Sequence, residues 1–160
     1  MFAHNERTHM LRKFIFSFFL ALPFAINAQT IDDSNYFSKQ FGELTGERQE
    51  LIRVMKNLNS TEYELGKDLL AEYNEVAAQI DSLSGYIYLY SLLPQKEKKI
   101  ANEQFMKTTF QFYLAKSNFT LQAIALIQGT TKLPFLNQSA ENLKKKVQMS
   151  RTIVASFRTQ

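Results

Sequence analysis

The sequence has no cysteine and no tryptophan, two histidines, three prolines and five glycines in 160 residues. Both histidines, His4 and His9, precede an apolar segment that reads as a removable leader, so residues 29–160 hold no imidazole, thiol or indole. Serine and cysteine hydrolases need a base that titrates near neutrality, and zinc sites need histidine or cysteine, so both chemistries are excluded from that part of the chain. A c-type haem needs C-x-x-C-H and a di-iron helical bundle needs Glu-x-x-His on two helices, and neither motif occurs in residues 29–160. The glycine-rich nucleotide motifs G-x-G-x-x-G and G-x-x-x-x-G-K-[ST] are also absent. Residues 29–160 keep 14 Asp and Glu, so a two-carboxylate hydrolase is the enzyme chemistry that composition leaves open. The expectation is a non-enzymatic chain with no catalytic residue, no metal ligand and no cofactor.

What is present begins with the leader. Arg12 and Lys13 precede the apolar run from Phe14 to Ile26, and Asn27-Ala28 closes it. A charged start, an apolar middle and a small residue at the cut make a secretory signal peptide, cleaved after Ala28. The run has 13 residues, short of the roughly 20 that a spanning helix requires. Met10 gives a tidier start than Met1. The chain is therefore expected in a periplasm or outside the cell. Without cysteine, residues 29–160 must fold on an apolar core alone, which a single domain of that length can do by burying about two thirds of its unfolded surface.

The apolar pattern is helical throughout. Leu65, Leu69, Tyr73, Val76, Ile80, Leu83, Ile87 and Tyr90 repeat at spacings of three and four and predict a long amphipathic helix over 61–93. Thr61-Glu-Tyr-Glu64 fits a capping box at its start. Phe37, Phe41, Leu44, Leu51, Val54, Met55 and Leu58 predict a helix over 34–58, interrupted in its stripe by Arg48. After Pro94, residues from Ile100 and Phe105 to Ile127 predict a third helix over 95–128, stopped by Gly129. Leu136, Ala140, Leu143, Val147, Val154 and Phe157 predict a fourth over 137–158. Short connections favour antiparallel neighbours, so the expected fold is an all-α, up-down-up-down four-helix bundle. Gly85-Tyr-Ile-Tyr-Leu-Tyr-Ser91 is rich in strand formers, but the stripe passes through Ile87 and Tyr90 without changing phase, which favours helix.

Charge divides along the chain. The balance is +2 over residues 1–28, −6 over 29–94 and +8 over 95–160. Two oppositely charged hairpins attract, which orients their docking; the alternative is a basic hairpin that meets an anionic partner. In the expected topology Lys96, Lys98, Lys99, Arg151 and Arg158 gather at the Pro94 end as a candidate anion contact. Lysines in a first helical turn oppose the helix dipole, which draws attention to that end. Glu43, Glu47 and Glu50 form an acidic stripe on the first helix. Gly42 and Gly46, four apart, are candidate contacts for a closely packed second helix. Nucleic-acid binding has no support from interleaved aromatics or a motif.

Leu44-Thr-Gly-Glu-Arg-Gln49 resembles the L-T-x-x-Q box of periplasmic stress chaperones, with one extra residue before Gln49 and no second copy. Leu44-Thr-Gly46 also resembles a short element of helical minor-pilus subunits of type IV secretion. Each resemblance covers six residues or fewer, and no functional residue is carried over from either. The function expected from the sequence is an exported binding protein of the chaperone, inhibitor or immunity kind, acting through helix faces on a protein or an anionic partner. The alternative is a structural or assembly subunit of an envelope or secretion machine, with self-association among its properties.

Overall fold

The computed structural model describes residues 34–157, which are all-helical: among the described residues there is no strand. Residues 1–28 and Arg158 lie outside the described residues. Helix α1 covers 34–55 and α2 covers Ser60–Leu92. Helix α3 is built from Gln95–Ala101, a π-helical turn Asn102–Met106 and Lys107–Thr130, and α4 covers Pro134–Phe157.

The long stripe on α2 is buried as its spacing predicts. Leu69, Tyr73, Val76, Ile80, Leu83 and Ile87 lie in the core, with Leu65 and Tyr90 half-buried at its ends. One face of a 33-residue helix thereby packs against residues from all three others, including Leu44 of α1, Phe110 of α3 and Leu143 of α4. Such side chains each contribute about 1.5–3 kcal/mol when fully buried. The tyrosine-rich segment continues α2, so the strand alternative falls.

Caps and breaks correct the expected boundaries. Asn59, not the Thr61 box, starts α2: its Oδ1 accepts the Glu62 N–H at 3.0 Å. Glu64, free of a capping role, pairs with Lys67 at 2.7 Å. Leu93 and Pro94 are extended, with ψ of 142° and 150°, so α2 and α3 are separate helices and not one kinked rod. Helix α3 runs past Gly129 to Thr130, and no glycine among the described residues has positive φ, so the expected glycine stop is not used. Helix α4 begins at Pro134, where a missing N–H leaves no intrahelical bond unmade.

The π turn changes which residues of α3 face inward. Successive helical residues are about 100° apart, so Phe105 and Met106 cannot both face the core. Met106 is buried and Phe105 is outside. The extra residue in the turn also rotates the segment before it by roughly a further 100°. Lys98 thereby comes to the inner side, while Ile100 faces out.

Polar groups tie the helices where the core is interrupted. Glu62, buried at the start of α2, accepts the Thr131 hydroxyl at 2.7 Å and the Lys132 N–H at 3.0 Å, clasping the α3–α4 connection. Ser34 donates to the Ser84 carbonyl at 3.2 Å, and Arg48 donates to Asn74 at 2.9 Å, both between α1 and α2. Replacing Glu62 with alanine leaves the Lys132 N–H and the Thr131 hydroxyl, which make part-buried bonds to a charged group, without their acceptor, and should cost about 1–3 kcal/mol. A urea unfolding midpoint equal to that of the wild type would contradict the clasp.

Burial also sets the response to alkali. It pushes the Tyr73 phenol up, and raises Tyr113 to about 12. A raised folded-state pKa contributes stability that is complete below the ordinary tyrosine value, near 10, and is lost as pH climbs through the folded value. The protein should therefore lose helix between about pH 10 and 12, with tyrosinate absorbance and ellipticity changing together. Full ionisation of all tyrosines with the helices intact is the contrary result.

Candidate functional site

Of the five expected anion contacts, the four within the described residues do not come together. Lys96 and Lys99 are exposed near the start of α3, beside exposed Leu92 and Ile100. Lys98 is buried, with its ammonium 5.7 Å from the centre of the Tyr90 ring. Arg151 reaches across to α3, where its Nη1 donates to the Leu114 carbonyl at 2.7 Å and to the Ser117 hydroxyl at 2.5 Å. That point is about 30 Å along α3 from Lys96. Arg158 lies outside the described residues. The α2–α3 turn therefore presents two exposed lysines, while Arg151 ties α4 to α3.

The acidic stripe on α1 is likewise engaged within the fold. Lys146 of α4, 12% exposed, sits 2.5 Å from Glu43 and 3.5 Å from Glu47, and Glu50 pairs with Arg53 at 2.5 Å. The Lys146 hydrogen bond holds the Glu43 carboxyl below its ordinary pKa. Glu75 on α2 pairs with Lys116 on α3 and is lowered by the same cause. Acidic and basic halves thus meet in specific pairs. Gly42 and Gly46 are exposed, and a Cβ at either would meet nothing within 4 Å, so no described helix packs on them. The close glycine is Gly66, where a Cβ would come within 2.9 Å of Met55 Cγ.

A different surface stands out, on the side of α3 away from the core. Phe105, Phe112, Phe119 and Leu126 recur every seven residues and are 49%, 66%, 70% and 72% exposed. Of the thirteen exposed positions from 104 to 129, Lys107 alone is charged. Solvated helix faces are ordinarily laced with charge, and depletion of charge together with aromatic enrichment marks the centres of protein interfaces. Sequence reasoning missed this face, although its signal was available: large apolar residues at sevenfold spacing, left over once the core stripe of α3 is assigned.

Beside the stripe, α2 and α3 leave an open groove of about 530 Å³, walled by Ala78, Ser82 and Tyr86 on one side and Thr108 and Phe112 on the other. The Phe105 ring packs edge-on against Tyr86 of the groove wall, with centroids 5.1 Å apart. Lys116, which also lines the groove and is held by Glu75, stands 5.8 Å from the Phe112 ring centre. The groove carries no nucleophile paired to a base, and among the described residues no three of His, Cys, Asp or Glu are grouped to hold a metal ion. Its chemistry is apolar and aromatic contact. No helix among the described residues is long and apolar enough to cross a membrane. Comparison with family models, with curated proteins and with solved structures finds no match to this chain.

The open space at Gly42 and Gly46 yields a direct test of their role. Gly42→Ala and Gly46→Ala should each stabilise α1 by up to about 1 kcal/mol, seen as a higher urea midpoint. A lower midpoint for either would mean that a helix packs against that site after all.

Proposed function

We propose that the chain is an exported, non-enzymatic binding protein whose working surface is the outer face of α3. The observation that carries this reading is the line of Phe105, Phe112, Phe119 and Leu126 on a face almost without charge. An apolar face of this kind is costly to leave in water and inexpensive to bury against a partner. The scaffold we infer is an up-down-up-down four-helix bundle, released from a signal peptide cut after Ala28. Cross-helix pairs support that arrangement: Ser34 with Ser84 and Arg48 with Asn74, Glu75 with Lys116 and Tyr86 with Phe105, Ser117 with Arg151 and Gln128 with Glu141. In each set, advance along one helix matches retreat along its neighbour.

The second reading, an assembly subunit of an envelope machine, is favoured by the extent of the same face, which runs about 31 Å from Phe105 to Leu126 and suits side-by-side packing of helices. The exposed Lys96 and Lys99 add a separate place for an anionic partner. A photoreactive amino acid placed at position 112 or 119 in cells should yield a discrete cross-linked product, and one at Lys145, exposed on α4, should yield none. Absence of any product from 112 and 119 overturns the binding-face reading. The exported chain should begin at Gln29 on N-terminal sequencing.

A further inference from the structure

We infer that the occupant of the outer α3 face is a second copy of the same face, running antiparallel to the first. The inference rests on the reading of this face as an interface and names its partner. Three observations support a self-contact.

The first is steric. The exposed positions three residues after each large side chain are Thr108, Ala115, Gln122 and Gly129. The face therefore alternates large and small at spacings of three and four, the pattern of a two-helix seam. When two copies lie antiparallel about a two-fold axis level with position 117, Phe105 falls opposite the partner's Gly129 and Phe112 opposite the partner's Gln122. By the same symmetry Phe119 falls opposite the partner's Ala115 and Leu126 opposite the partner's Thr108. All four large residues then meet a smaller one, and no large pair collides. A two-fold contact brings one patch against itself, so such self-complementarity is what it requires.

The second is electrostatic. Residues 95–160 carry +8, so most contacts between two copies of this half bring like charges together. On the α3 face Lys107 is the lone exposed charge between 104 and 129, and Lys116 at the flank is neutralised by Glu75. This is the strip of the basic half on which two copies meet without repulsion.

The third is area. Taking about 200 Å² for a whole aromatic side chain, the exposed parts of the three phenylalanines and Leu126 present about 500 Å². The intervening small residues along about 36 Å of helix bring the face toward the roughly 800 Å² per partner of a specific interface.

Sedimentation equilibrium of the purified protein across the micromolar range should show a reversible doubling of mass. Phe112→Lys with Phe119→Lys should hold it at the monomer mass with helix content unchanged. Ala115→Arg, a change at an exposed small residue, should do the same and covers the case in which the double variant fails to fold. The chain contains no cysteine, so Ala115→Cys and Phe119→Cys proteins can be mixed and oxidised without background. The mixture should give cross-linked dimer in clear excess over either protein alone. A wild type that remains monomeric, or a dimer that survives both sets of substitutions, overturns self-pairing, and equal cross-linking in all three samples overturns the antiparallel register. If position 112 cross-links in cells to a protein of another mass while the purified chain stays monomeric, the binding face stands and the second copy does not.

Discussion

Tyr73 imposes the constraint on which the junction of α1, α2 and α4 depends. Its ring is wholly buried in the α2 stripe, and a buried phenol with an unpaired hydroxyl costs on the order of 1–3 kcal/mol. The hydroxyl lies 2.9 Å from the Ser139 carbonyl on α4 and 3.2 Å from Glu47 on α1. Its single proton satisfies one acceptor at a time, and Glu47 is also held 3.5 Å from Lys146. The ring supplies the apolar contact, and the hydroxyl fixes how far α1 and α4 can slide along α2. A core made of leucine alone would tolerate such sliding with less penalty. The buried Ser84 and Ser117 and the half-buried Arg151 act alike, each reaching another helix, and buried Glu62 reaches the α3–α4 connection. In a chain without disulfides, these contacts give the apolar core one preferred register.

The same contacts account for much of the charge asymmetry. Glu43 and Glu47 engage Lys146, and Glu75 engages Lys116, joining the acidic first half to the basic second half. Pairs near the surface contribute little energy, about 0 to 1 kcal/mol where both partners are exposed, but each selects one arrangement of helices over others. Charge is thereby concentrated between helices and on the surfaces of α1, α2 and α4, while the outer face of α3 is left nearly bare. That contrast within one molecule, more than the exposure of any one phenylalanine, distinguishes the face.

Helix existence was legible because α2 keeps one phase from Leu65 to Tyr90, and no strand pairing can maintain a stripe at spacings of three and four. Ends were less legible. Thr61 and Asn59 are both competent caps two residues apart, and the choice falls to the chain path from Met55, which only tertiary packing sets. Gly129 fits a stop by type, yet the N–H of Thr131 reaches the Ile127 carbonyl at 2.9 Å and lets the helix run one residue further. The four described anion candidates are kept apart for two reasons: Arg151 is level with Leu114 and Ser117, far along α3 from Lys96, and the π turn at 102–106 brings Lys98 inward, of which five residues of ordinary helix-forming type carry no mark. The outer stripe escaped for a different one. Helix α3 has apolar residues on several sides, so periodicity alone does not say which line is core and which is surface.

The two lines on α3 share a period, and that bears on whether the outer one can pair over its whole length. Met106, Tyr113, Thr120 and Ile127, with Phe110, Ser117 and Ile124 between them, form a buried seam that repeats every seven residues. A straight helix of 3.6 residues per turn drifts by about 20° per heptad, so over three heptads a sevenfold line would swing about 60° around the axis. The inner seam stays buried from end to end, so α3 follows its neighbours with little net drift. The outer line is carried by the same backbone and inherits the same alignment. Packing inside the fold therefore keeps Phe105 and Leu126, three heptads apart, on one side of α3.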